Sequence, residues 1–94
     1  MKSDITNFFA THLEEEYESW SSEEYENKKE WIDMMFDREE RVPKKENLLI
    51  QFEELLDMLQ TCCNLKSAIL DSIEWDRIYK TVDSLVEEFE CEYV

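Results

Sequence analysis

Few residues in this sequence are of a type and spacing that could do chemistry. The single histidine, His12, precedes Glu16 by four residues. On a helix that spacing sets the imidazole and the carboxylate on one face, where they could exchange a proton or share a metal ion. A di-iron bundle needs Glu-x-x-His motifs on two helices, and one histidine cannot supply them. The pair falls beside an apolar stripe, so a hydrogen-bonded pair at the core edge is expected. The cysteines are Cys62, Cys63 and Cys91. They do not match zinc-ligand spacing, and a disulfide between sequence neighbours would be strained. They are read as small buried apolar residues. A chain without glycine cannot build a P-loop, a dinucleotide fingerprint, a nucleophile elbow or an EF-hand loop. The expectation is a protein that is not an enzyme and carries no metal or cofactor.

A second pattern is ordered rather than sparse. Glu23, Glu26, Glu30, Asp33, Asp37 and Glu40 follow steps of 3, 4, 3, 4 and 3. On one continuous helix all six carboxylates would share a face, over on the order of 25 Å. Lys28, Lys29, Arg38 and Arg41 fall to its sides. A solvated outer face is the plain reading of such a run. Against it, like charges at these spacings destabilise a helix by about 0.2–0.5 kcal/mol per pair. A basic partner surface would reward the pattern through steering and charge-assisted pairing. Met34 and Trp31, beside these carboxylates, are candidate apolar anchors. For Trp31, partial burial against a neighbouring helix is the stronger reading.

The elements that must position these residues follow from the 3.6-residue period. A first helix is expected over 4–20, with Ile5, Phe8, Phe9, Leu13, Tyr17 and Trp20 as its stripe. Ser21 and Glu24 have capping-box spacing, so a second helix is expected over 22–41. Val42-Pro43 should end it, and Pro43 should open a third helix over 43–63. That helix is the best core candidate, with Leu48, Leu49, Phe52, Leu55, Leu56, Leu59 and Cys63 on one side. Asn64 should break it. A fourth helix is expected over 65–92, kinked or restarted near Asp71, where Asp71 and Glu74 repeat the capping-box spacing. Residues 1–94 thus read as a single all-α domain, a compact three- or four-helix bundle with short connections and antiparallel neighbours.

Composition supports this. Hydrophobic residues make up 43%, with five Phe, four Tyr and three Trp, which argues against disorder. Strand-rich folds need many glycine turns. The net charge of −15 opposes binding to nucleic-acid phosphates or anionic membranes and favours a basic protein partner. The odd cysteine count shows no secreted disulfide framework. The opening MKSDITNFF lacks the apolar run of a signal peptide. A reducing cytosol, bacterial or that of an infected cell, is therefore expected.

In size, charge and helicity the whole chain resembles the phage-encoded acidic inhibitors that imitate DNA, of the anti-restriction and anti-CRISPR type. No diagnostic motif carries the resemblance, and no binding residue transfers from it. It implies a stoichiometric inhibitor whose carboxylates replace phosphates in a basic nucleic-acid channel. Here the line from Glu23 to Glu40 would do so. The chain looks almost as much like the small acidic immunity proteins and antitoxins that neutralise nuclease toxins. A third reading is a structural adaptor or homodimer, with Ile50, Trp31 or Met34 forming an apolar seam.

Overall fold

The structure, a computed structural model, describes residues 2–19 and 25–93. It is dominated by five helices: α1 (Lys2–Ser19), α2 (Tyr25–Met35), α3 (Lys45–Met58), α4 (Cys63–Asp71) and α5 (Trp75–Tyr93). Two short strands, β1 (Phe36–Asp37) and β2 (Val42–Pro43), lie between α2 and α3 and pair antiparallel, Phe36 opposite Pro43 and Asp37 opposite Val42.

The core is built on α1 and α5, the most extensively packed helix pair. Phe9, Leu13 and Tyr17 recur every four residues on α1 and are buried, as are Ile78, Val82, Leu85, Val86 and Phe89 on α5. The two helices run in the same direction. At one end Thr6 Oγ1 accepts the N–H of Glu74 at 3.0 Å; at the other, Tyr17 lies in the field of Glu88 and Glu92. Two parallel helices need a long connection, and α2, the strand pair, α3 and α4 provide it. Leu48, Phe52 and Leu56 bring α3 onto this core, with the Phe52 ring stacked on Phe9 at 4.3 Å.

The structure corrects the expected boundaries. The second helix stops at Met35, not 41. Its last carbonyls find donors at once in the following chain: Lys44 Nζ donates to Asp33 O at 2.8 Å, Asn47 Nδ2 to Met34 O at 2.7 Å and Lys44 N–H to Met35 O at 2.8 Å. These satisfy groups that a helix end otherwise leaves orphaned. Asp37 then folds its own turn. Its Oδ1 accepts the N–H groups of Glu39 and Glu40 at 3.0 and 3.1 Å, an alternative to continued helix that aspartate readily offers. Pro43 sits in the second strand rather than opening α3. A two-residue edge strand tolerates its missing N–H.

The third helix ends at Met58, and Asn64 lies within α4 rather than breaking a helix. The break is at Gln60, whose φ of 59° places it in the left-handed region. Arg41, at φ 60°, does the same in the hairpin turn. The expected restart near Asp71 occurs, since α4 ends there. The new helix begins at Trp75, so Asp71 is not its cap. That split gives five helices among the described residues in place of the expected three or four, and the strand pair takes the place of the expected end of the second helix. Leu59, Cys62, Cys63 and Cys91 are exposed, not core. Trp20, Ser21 and Glu24, and with them the proposed capping box, lie outside the described residues.

Candidate functional site

The six-carboxylate line does not exist as one helical face. Glu26 and Glu30 are exposed on α2, and Asp33 is half-buried on the same helix. Asp37 and Glu40 lie on the hairpin instead, and Glu23 is outside the described residues. Asp33 and Asp37 also have structural duties. Asp33 Oδ1 pairs with Arg38 Nε at 2.9 Å, and Asp37 holds its turn.

The two apolar anchors separate. Met34 is 44% exposed, whereas Trp31 is 2% exposed and out of reach of a partner. The Trp31 indole packs edge-on to Tyr17, centroids 5.7 Å apart. Its N–H donates to Glu16 Oε1 at 2.8 Å. The other oxygen of Glu16 is 3.0 Å from His12 Nε2. The pair whose spacing suggested proton transfer thus lies side by side at the core edge, and its carboxylate also accepts from a buried indole. Among the described residues no group of three or more His, Cys, Asp or Glu is arranged to hold a metal ion.

The basic residues explain how the surface becomes acidic. Lys28 Nζ sits 4.7 Å above the Tyr17 ring and 3.9 Å from Glu92. Arg38 lies over Phe89, and Lys45 lies 4.9 Å from the Trp75 ring centre. Arg41 lies over Phe36 and grips Glu90 with both terminal nitrogens, at 2.7 and 3.2 Å. That contact raises the Arg41 pKa and holds the Glu90 carboxyl below the usual range. Lys66 bridges α4 to Asp57 on α3 at 2.8 Å, which raises its own pKa. These cations are spent on seams between elements, as staples over rings and carboxylates.

The carboxylates left without a cationic partner among the described residues include Glu14, Glu15 and Glu18 on α1 and Glu26 and Glu30 on α2. All five are exposed. The helices adjoin at the Tyr17–Trp31 contact, so these groups stand on neighbouring helices. Glu14, Glu15 and Glu18 were legible in sequence as further acidic residues of the first helix; the contact that makes α1 a neighbour of α2 was not.

Three further features bear on function. Among the described residues no helix is long and apolar enough to cross a membrane. Ile50 is exposed on α3. Compared with known proteins, the chain matches no family, no curated protein and no solved structure.

Proposed function

We propose that this chain is a non-catalytic acidic inhibitor that occupies the basic nucleic-acid-binding surface of another protein, its carboxylates taking the place of phosphates. One observation carries the reading. Lys28, Arg38, Arg41, Lys45 and Lys66 are engaged by rings and carboxylates of the chain itself, while Glu14, Glu15, Glu18, Glu26 and Glu30 face solvent with no ion-pair partner among the described residues. The result is a surface with like charges on neighbouring helices, which a basic partner would complement. Glu26 and Glu30 are the contacts retained from the sequence pattern, with Met34 beside them. Asp33, Asp37 and Glu40 contribute field more than contact, and Trp31 only supports the surface from below.

An immunity protein or antitoxin against a nuclease toxin would present the same chemistry to a basic catalytic cleft. The exposed Met34 and Ile50 favour a second reading, an adaptor or homodimer joined by an apolar seam. Its association would persist in high salt, whereas contacts between exposed charges are screened.

The test is affinity capture on the immobilised chain from bacterial lysate, at low and high salt, followed by competition with duplex DNA. Basic nucleic-acid-binding proteins should be retained at low salt, released by salt and displaced by DNA. They should not bind the Glu26→Lys/Glu30→Lys variant. Equal retention by that variant, or indifference to DNA, would defeat the proposal.

A further inference from the structure

Away from the α2 carboxylates, the outer side of the α1–α3 packing is apolar. Phe8 on α1 is 47% exposed, and Met58 and Leu59 at the end of α3 are 78% and 58% exposed. They line three adjoining cavities. Phe8, Leu55 and Leu59 line a cavity of about 470 Å³ with His12 and Glu15. Phe8 and Leu59 also line the next, of about 300 Å³, which reaches Asp4 and Ile5. Leu55 and Met58 line a third of about 310 Å³ with Glu16 and Glu54. Shared walls make these three segments of a groove. Its floor joins the core, because the Phe8 ring meets Phe9 edge-on at 5.4 Å and Leu55 packs against the core cluster.

Shape and charge define what fits. On α1 the lining runs from Asp4 to Glu16, roughly 18 Å at helical rise, the length of about three helical turns. A groove between two helices, lined by apolar side chains and a flexible methionine, suits the apolar face of a third helix. Asp4, Glu15, Glu16 and Glu54 line its segments, and no lysine or arginine does. The open cavities on the α4–α5 side differ, being lined by Arg77 and Lys80 or by Lys45. A second copy of this chain, net −15, would bring like charge to an acidic rim.

We propose that the groove between α1 and α3, centred on Phe8, Leu55, Met58 and Leu59, binds an amphipathic helix of a partner protein whose flanks are basic. This site is centred away from the α2 carboxylates, sharing only Glu15 with the proposed acidic surface, and stands whether or not the chain mimics nucleic acid. The probe is an 18-residue peptide of leucine and lysine, with leucines at i, i+3, i+4 and i+7. It is titrated into the ¹⁵N-labelled full chain beside a scrambled peptide of the same composition. The patterned peptide should shift the amides of Phe8, Leu55, Met58 and Leu59 and bind about tenfold tighter than the scrambled one, which corresponds to about 1.4 kcal/mol. The Met58→Glu/Leu59→Glu variant should lose that preference with an unchanged circular-dichroism spectrum, since both side chains are mostly in solvent. Glu26→Lys/Glu30→Lys should keep it. Three results would overturn the proposal: equal affinity for the two peptides, shifts centred on α2, or sedimentation as a dimer that Met58→Glu/Leu59→Glu converts to monomer.

Discussion

The Trp31 indole N–H and Glu16 Oε1 are joined by a 2.8 Å hydrogen bond that ties α2 to α1. Trp31 is one of the largest fully buried side chains, and its N–H is a donor with no alternative role. Glu16 is a half-buried carboxylate beside an apolar stripe because it supplies the acceptor. Glu16→Ala should therefore cost about 1–3 kcal/mol, the penalty of a buried donor left unmade. Glu16→Gln keeps a carbonyl oxygen and should cost clearly less. Urea unfolding of the two variants measures the difference. Equal losses would mean that Glu16 acts through its charge rather than through the indole.

Tyr17 carries the opposite arrangement. Its hydroxyl is buried and finds no hydrogen-bond partner among the described residues. Burial first, and the fields of Glu88 and Glu92 next, push its pKa up to about 12 from 10.0. A raised folded-state pKa means that the protonated form contributes stability in full below about pH 10. That contribution is lost as pH rises toward 12. Tyrosinate absorbance should show one tyrosine ionising late, with stability falling through that window. Tyr17→Phe removes an unpaired polar group while keeping the ring. It should leave stability at pH 7 equal or higher and flatten the alkaline decline. A loss of more than about 1 kcal/mol at pH 7 would show that the hydroxyl has a partner after all.

These two side chains mark how much was legible in sequence. The α1 stripe Phe9, Leu13, Tyr17 was readable because four-residue spacing of large apolar groups admits one burial pattern. The His12–Glu16 pair was readable for the same reason of local geometry. The end of α2 was not. It depends on Lys44 and Asn47 reaching back to carbonyls at residues 33–35, and on Asp37 choosing its own turn over helix. The 3-4-3-4-3 spacing suggested a continuous face, but it carries no information on whether the backbone stays helical. Likewise, no local pattern announces that Lys28, Arg38, Arg41 and Lys45 will lie over aromatic rings. Those contacts exist only once the helices have packed.

The glycine-free sequence leaves a conformational cost at Gln60. A non-glycine residue in the left-handed region costs about 1–2 kcal/mol, and Gln60 donates only its backbone N–H, to Asp57 O at 3.0 Å. Glycine there relieves the Cβ clash but gives the unfolded chain more freedom. Gln60→Gly should still stabilise by about 0.5–1 kcal/mol. For a domain of this size that corresponds to a rise in Tm of about 2–8 °C. The same change at Arg41 should not help, because it also removes the grip on Glu90. Thermal unfolding of both variants tests the contrast, and a lower Tm for Gln60→Gly would refute it.

The acidic residues divide by what they do for the fold, and that division can be measured without knowing the partner. Asp37 accepts two backbone N–H groups, so Asp37→Ala should cost about 1 kcal/mol, as loss of a capping side chain does. Glu30 makes no ion pair among the described residues, and stands four residues after Glu26 and three before Asp33. Glu30→Lys turns repulsion with both neighbours into attraction. It also places the basic residue C-terminal to Glu26, the favourable order on a helix. The variant should be more stable by a few tenths of a kcal/mol to about 1 kcal/mol, most visibly at low salt, where exposed charges are least screened. An evolved glutamate that lowers stability at an exposed position points to a role outside folding. If Glu30→Lys proves destabilising, Glu30 serves the fold, and the proposed binding surface loses its central residue.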